Sequence, residues 1–437
     1  MRVARWTRGQ VEEMAPDSKS VLAATKLARP GPWSDTGANE VLVWGKCQGS
    51  GSTTYQVTVD LTVPSVKCSC PSRKFPCKHG LALLMLWVQG EGQIETTSEV
   101  ADFAEQWAEA RAARVARSKN KTESKPASVD PAAQAKRLER RLELMDQGVA
   151  DLQRWLQDMY RHGLAAARHQ PYEYWDSTAA RLVDSQMPAL AARVREMPGR
   201  LAGRDDWADV ILDETGRWFA VTRWWQQRDR LCDDELGLLR SVVGWPISAE
   251  EVKAGEVMQD TWLIEGLYRS DDSKLQTQRT WIRGVDCDQR FLVLDFAVAG
   301  NLGVPQTTGT KLEASIAAYP GLGIRRALFV EPGVVVGTES TLTGAGTIDD
   351  ALKAAALELA IDPFRERTPV VLHGWILPSD QPTFVDKTHH VLPLTDDIDV
   401  WPILARCGPE PVNIFAELED GRVRPLTIEV DARLVAL

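Results

Sequence analysis

Hydrophobic and polar positions change rhythm along the chain, and each rhythm predicts a different kind of element. Near the start, Val41-Leu42-Val43-Trp44-Gly45 reads as a short strand. The glycine-rich Gln48-Gly49-Ser50-Gly51-Ser52 reads as a tight turn, and Tyr55 to Leu61 as the returning strand. The run Gly80-Leu81-Ala82-Leu83-Leu84-Met85-Leu86-Trp87 is too long and apolar for a hairpin arm and predicts a helix. Residues 1–30 read as an amphipathic start, with a helical piece from Lys19 to Leu27 ended by Gly31-Pro32-Trp33. Ser98 is placed to cap a helix reaching about Val115, on which Phe103 and Trp107 share a face.

The helical rhythm dominates the middle. Leu138, Leu142, Met145, Val149, Leu152, Leu156 and Met159 recur in steps of four and three, which puts them on one helix face. Ala180, Val183, Met187, Leu190, Val194 and Met197 repeat that rhythm in a second helix, which Pro188 should bend or interrupt. Trp207, Ile211, Trp218, Val221 and Trp225 mark a third, with Glu214 breaking its apolar face, and Leu236, Leu239 and Val243 a fourth. The stripes fit a helical hairpin packed on itself, the sharper alternative being an exposed stripe that forms a homodimer. Ser118 to Pro126 has no apolar anchor and marks a connector.

Beyond residue 250 the period shortens. Trp262–Tyr268, Leu275–Ile282 and Phe291–Val298 read as strands of a meander or small barrel. Asp349 to Leu359 is an alanine-rich helix suited to close packing on a sheet. Val370–Ile376, Val391–Leu394, Ile414–Leu418 and Val423–Val430 are further strands, the last two joined at Glu419-Asp420-Gly421. The predicted class is a multidomain α+β chain. It divides into a zinc module with flanking helices at 1–115, a connector at 116–134, a helical domain at 135–248 and a β-rich α+β region at 249–437.

Charge is uneven. Residues 1–90 hold 11 Lys or Arg against 6 Asp or Glu, whereas the whole chain carries a net charge of −10. Nucleic acid would be drawn to the first part alone, and a duplex-binding surface over the whole length is disfavoured. Seven cysteines fit a reducing compartment better than a disulfide framework. No apolar run approaches the ~20 residues that span a bilayer, so a cytoplasmic protein is expected.

Chemistry concentrates in Cys68-Ser69-Cys70-Pro71-Ser72-Arg73-Lys74-Phe75-Pro76-Cys77-Lys78-His79. The spacing is C-x-C-x6-C-x-H, with one pair after a strand and the other at a helix start. Zinc accepts three thiolates and one imidazole as a tetrahedron, and two close pairs can grip one ion from opposite sides. The stretch resembles the SWIM zinc finger, whose pattern is C-x-C, a variable connector and C-x-H. Cys68, Cys70, Cys77 and His79 fall on its four ligand positions, and the wider run is similar to bacterial multidomain members. The resemblance spans roughly Val41 to Trp87, making the N-terminal fold a ββα SWIM-type zinc module with one structural ion. It also implies DNA binding or protein interaction, with AAA+ ATPase and von Willebrand A-type systems as partners. Lys67, Arg73, Lys74 and Lys78 offset the −1 charge of such a site and are candidate nucleic-acid or partner contacts, or they merely solvate the loop.

Other chemistry is thin. Cys47 reads as a buried cysteine beside the turn rather than another ligand. Asp205, Asp206, Asp233, Asp234 and Glu235 read as helix caps or solvated carboxylates. Asp386, His389 and His390 form the best acid–base cluster, but no nucleophile elbow accompanies them. Cys232, Cys287 and Cys407 read as buried thiols. A noncatalytic zinc-containing adaptor is the first expectation, nucleic-acid binding through the basic finger the alternative, and an enzyme the third.

Overall fold

The computed structural model describes residues 6–15, 18–49, 53–61, 65–72, 74, 76–90, 94–109, 131–272, 275–298 and 307–437. Two helices, α1 (Arg8–Glu13) and α2 (Ser18–Leu27), precede an antiparallel sheet of β1 (Trp33–Ala38), β2 (Leu42–Gln48), β3 (Thr54–Asp60) and β4 (Ser65–Cys68). The predicted hairpin is β2–β3. Its outer neighbours β1 and β4 carry too few apolar residues to announce themselves. Helix α3 (Lys78–Val88) packs across the sheet, and Leu81, Leu83, Leu84 and Met85 are buried with Val43, Val57, Val59 and Val66. Every residue from His79 to Leu86 is buried, because α1 and α2 cover the face of α3 that the sheet leaves open.

The next helix, α4, runs over residues 102–109 within the described chain. Its first bonds return to the Ala101 carbonyl, so the start lies three residues beyond Ser98. Phe103 and Trp107 do share a face, packed with Leu42 and Trp44. Residues 116–130 of the expected connector lie outside the described residues, and α5 begins at Pro131.

Helix α5 (Pro131–His162) buries Met145, Val149, Leu152, Leu156 and Met159, while Leu142 is half-buried and Leu138 exposed. The stripe loses its partners toward the helix start. After the short α6 (Leu164–Arg168), the predicted second helix is in fact two, α7 (Tyr172–Asp184) and α8 (Pro188–Leu201). Pro188 lacks an N–H, so it opens α8 rather than bending one long helix. Gln186 turns the chain with φ +64°. The turn rotates the α7 face, so Ala179 and Leu182 point inward and Val183 outward. With α9 (Trp207–Trp225) and α10 (Asp233–Val243) these helices enclose one core around Trp175, Trp218 and Trp225. Glu214, the break in the α9 stripe, is buried and pairs with Arg200 at 2.7 Å and Arg217 at 3.3 Å. The helical stripes thus meet one another in a bundle larger than a hairpin.

Past α11 (Ala249–Lys253), β5 (Val257–Asp272), β6 (Leu275–Gly284) and β7 (Arg290–Val298) form the expected meander. Strands β8 (Thr310–Ala318) and β9 (Arg326–Phe329) close it, because β8 pairs with β5, β9 with β7, and β8 with β9. Strand β10 (Val334–Thr338) lies on β8. Trp262, Ile264, Ile282, Phe291, Leu312 and Ile316 fill the small barrel.

Helix α12 (Ile348–Ile361) packs on a further sheet through Ile348 and Ala351. That sheet contains β11 (Arg367–Leu377), β12 (Thr383–Asp386), β13 (Val391–Pro393), β14 (Val412–Glu419), β15 (Arg422–Val430) and β16 (Arg433–Ala436), with α13 (Trp401–Cys407) before β14. Asp420 and Gly421, at φ +49° and +71°, make the tight β14–β15 turn. The sheet is joined to the barrel by the buried Glu417. It accepts from Nε and Nη2 of Arg279, at 3.0 and 2.6 Å, and from the Trp281 indole N–H at 2.9 Å. Among the described residues no helix is long and apolar enough to cross a membrane.

Candidate metal centre

The four predicted donors come together where β4 meets α3. Cys68 is the last residue of β4, Cys70 follows two residues later, Cys77 is the N-cap of α3 and His79 lies in its first turn. Their ligand atoms all lie within 4.8 Å of one another. Cys68 Sγ stands 3.8 Å from His79 Nδ1. A tetrahedron of Zn–S bonds of about 2.3 Å spaces its corners by roughly this distance.

Local packing holds the pairs in place. The Gln56 N–H donates to Ser69 Oγ at 2.9 Å and the Ser69 N–H to the Gln56 carbonyl at 3.0 Å, which pins the Cys68–Cys70 ribbon to β3. The Tyr55 ring lies 5.0 Å from the His79 ring and limits its rotation. Gly80 lets α3 approach β4, since a Cβ there would come within 2.4 Å of Val66 Cγ1. Tyr55 and Gly80 escaped the sequence reading because their roles depend on contacts with another element.

The donor set fits a cation. Cys77 and His79 are buried, and Cys68 and Cys70 partly so. A hydrogen bond with Cys68 pulls the Cys77 thiol down to about 4 against the effect of burial. The same bond raises Cys68, with burial and the Cys77 charge adding to it, and burial chiefly raises Cys70. Three crowded thiols therefore share protons unless a cation replaces them. This Cys3His set suits one structural zinc ion. With four protein donors it leaves no coordination position for substrate.

Lys67, Lys74 and Lys78 are exposed around this corner, and Arg73 lies outside the described residues. Cys47 is buried, and burial raises its thiol to about 11.

Residues 55–87 match the SWIM zinc finger family. Residues 140–243 match the SWIM-associated four-helix bundle domain. Both SWIM modules are present in this chain. They are non-catalytic modules, and the second coincides with the bundle from α5 to α10. No curated protein and no solved structure matches the chain.

The remaining candidates resolve into scaffolding. Asp386 is fully buried and accepts from Thr388 Oγ1 at 2.6 Å, the N–H groups of Thr388 and Ile348 at 2.8 Å, and that of His390 at 3.1 Å. Burial opposes its charge, yet the Thr388 hydroxyl and these N–H groups hold the carboxyl at about 2. His389 and His390 are exposed, and His390 Nδ1 lies 3.2 Å from Thr388 Oγ1, the hydroxyl that donates to Asp386. Asp206 stands at the N-cap position of α9 without a side-chain cap bond and pairs with Arg204 at 2.7 Å, and Asp233, Asp234 and Glu235 occupy the first turn of α10. Cys407 is partly buried, but Cys232 and Cys287 are exposed, contrary to the expectation of buried thiols. Each sits where a polar turn follows or precedes an element, so no apolar layer covers it.

Proposed function

We propose that the protein is a noncatalytic zinc-containing adaptor that presents the SWIM corner to a protein partner. The closed Cys3His set carries this reading: a metal with every coordination position filled by the chain acts on shape. The resemblance to bacterial multidomain SWIM proteins points to an AAA+ ATPase or a von Willebrand A-type protein as that partner. The connector expected at 116–134 belongs to the same proposal in its part ahead of α5, and limited proteolysis of the whole chain should first cut before Pro131. Affinity capture from cytosol with zinc-loaded protein tests the adaptor role. A stoichiometric protein partner lost in Cys77→Ser is expected, and an empty capture would reject the role.

A second reading, nucleic-acid binding, is favoured by the exposed Lys67, Lys74 and Lys78 around the metal corner and by Arg73 between them in sequence. It predicts binding to duplex or single-stranded DNA that weakens with salt and is lost on charge reversal of Arg73, Lys74 and Lys78. Titration at several salt concentrations decides between the two readings.

A further inference from the structure

The helical bundle and the β-rich region flank an open cavity of about 560 Å³. Small-molecule clefts range from roughly 300 to 1,000 Å³. Arg193, Arg279, Arg325, Arg326, Arg365 and Arg367 line it, and Asp362 and Glu366 are the acidic side chains in its wall. The concentration runs against the surroundings, since residues 131–437 carry 34 Lys or Arg and 47 Asp or Glu.

Five of these arginines are braced. Arg279 holds Glu417 and Arg325 holds Glu256, each at 2.6 Å. Arg193 and Arg367 share Glu366, at 2.9 and 3.2 Å, and Arg367 also takes Glu419 at 2.6 Å. Arg365 donates to the Ile324 carbonyl at 2.6 Å, with Asp362 at 3.4 Å and Glu358 at 3.5 Å. Glu417, Glu256, Glu419 and Glu358 stand outside the cavity lining; they hold these guanidinium groups in place and offset part of their charge.

Arg326 differs. Among the described residues it has no carboxylate partner. Its guanidinium lies over the Tyr319 ring at 4.7 Å, and its buried Nε has no acceptor. Burial holds its basicity below the ordinary arginine range. The buried Nε of Arg367 also lacks an acceptor, although its other guanidinium nitrogens are ion-paired. A buried, unpaired cation is costly, and an anion in the cavity would relieve it.

We propose that this cavity binds a small polyanion carrying two or more phosphate groups. Guanidinium groups fixed from several directions suit phosphate oxygens, which accept paired N–H bonds with geometric specificity. Recognition rests on the phosphates, because the aromatic walls are already engaged. Arg141 lies 4.4 Å from the Trp245 ring, and Phe364 stacks on Trp224. Arg193 comes from α8 and Arg326 from β9, so the ligand joins the bundle to the barrel.

Calorimetry on the zinc-loaded 437-residue chain with inorganic pyrophosphate, ADP and adenosine tests this. Pyrophosphate and ADP bind at one site and adenosine does not. Arg326→Gln weakens pyrophosphate by about tenfold or more. Ser241→Glu, at the exposed rim of the same cavity, weakens it too and serves if Arg326→Gln does not fold. ADP binding much tighter than pyrophosphate identifies a nucleotide as the phosphate source, and equal affinities identify the phosphates alone. Both results support the site. Adenosine binding as well as ADP overturns it, as does pyrophosphate affinity unchanged in a folded variant. The absence of any pyrophosphate or ADP binding at millimolar concentration overturns it equally.

Discussion

The starts of α3 and α12 are both tied to a neighbouring strand by buried polar side chains, with opposite electrostatic solutions. At α12, Asp386 brings one negative charge and receives a hydroxyl and three backbone N–H groups, so its charge is satisfied within the chain. At α3, Cys68, Cys70, Cys77 and His79 bring four metal donors into a space where the thiols can only trade protons. The first corner closes by hydrogen bonds alone, whereas the second needs a cation. Whether a buried polar cluster requires an ion thus depends on the balance of donors and acceptors around it.

The largest expected effect breaks the metal corner. Cys77→Ser, or chelation of wild-type protein, should abolish zinc binding and open the β4–α3 junction to protease. The apparent free energy of binding structural zinc in small modules is about 10–16 kcal/mol, and folding is coupled to it. Metal analysis beside proteolysis measures both effects. Unchanged zinc content together with unchanged protease resistance would reject the assignment. The α12 corner should remain intact under the same chelator.

Leu152 lies in the apolar core of the bundle, and Leu152→Ala measures packing alone. Leu152 is 1% exposed. Its truncation should cost about 2–5 kcal/mol in denaturant unfolding, with zinc content unaffected. A change near zero would mean that the α5 stripe does not face a tight core.

Gly80→Ala sharpens the comparison by keeping all four donors and disturbing only their approach. The added methyl meets Val66, so a cost of about 1–3 kcal/mol and weaker zinc retention are expected. Val66→Ala in the same chain should restore both. If the double variant holds zinc no better than Gly80→Ala, the contact does not set the approach.

The smallest effect is at α12. Asp386→Asn should cost about 1 kcal/mol at neutral pH, because an amide replaces a charged acceptor. The folded carboxyl sits at about 2, below its ordinary value of 3.8. The wild-type charge therefore stabilises fully above the unfolded value, and the contribution is lost as pH falls through the folded one. Unfolding measured from pH 6 to pH 2 should show a steeper acid loss in wild type than in Asp386→Asn. Parallel curves would show that Asp386 does not supply this acid dependence.

The sequence alone determined the metal ligands, since a C-x-C and a C-x-H at short range leave few other ways to group those donors. It also determined the helical middle and the meander, whose periods are local properties of 3.6 and 2 residues. Pro188 carried its signal in the sequence, but only the rotation of α7 against α8 decided that Leu182 faces inward and Val183 outward. The closure of the barrel by β8 and β9, and the buried pairing of Glu417 with Arg279, were decided by tertiary structure. So was the arginine-lined cavity, whose arginines run from Arg193 to Arg367. Sequence periodicity records which face of an element is apolar. It does not record which distant element will cover that face, because long-range pairing depends on the whole chain's packing and not on the neighbours of any one residue.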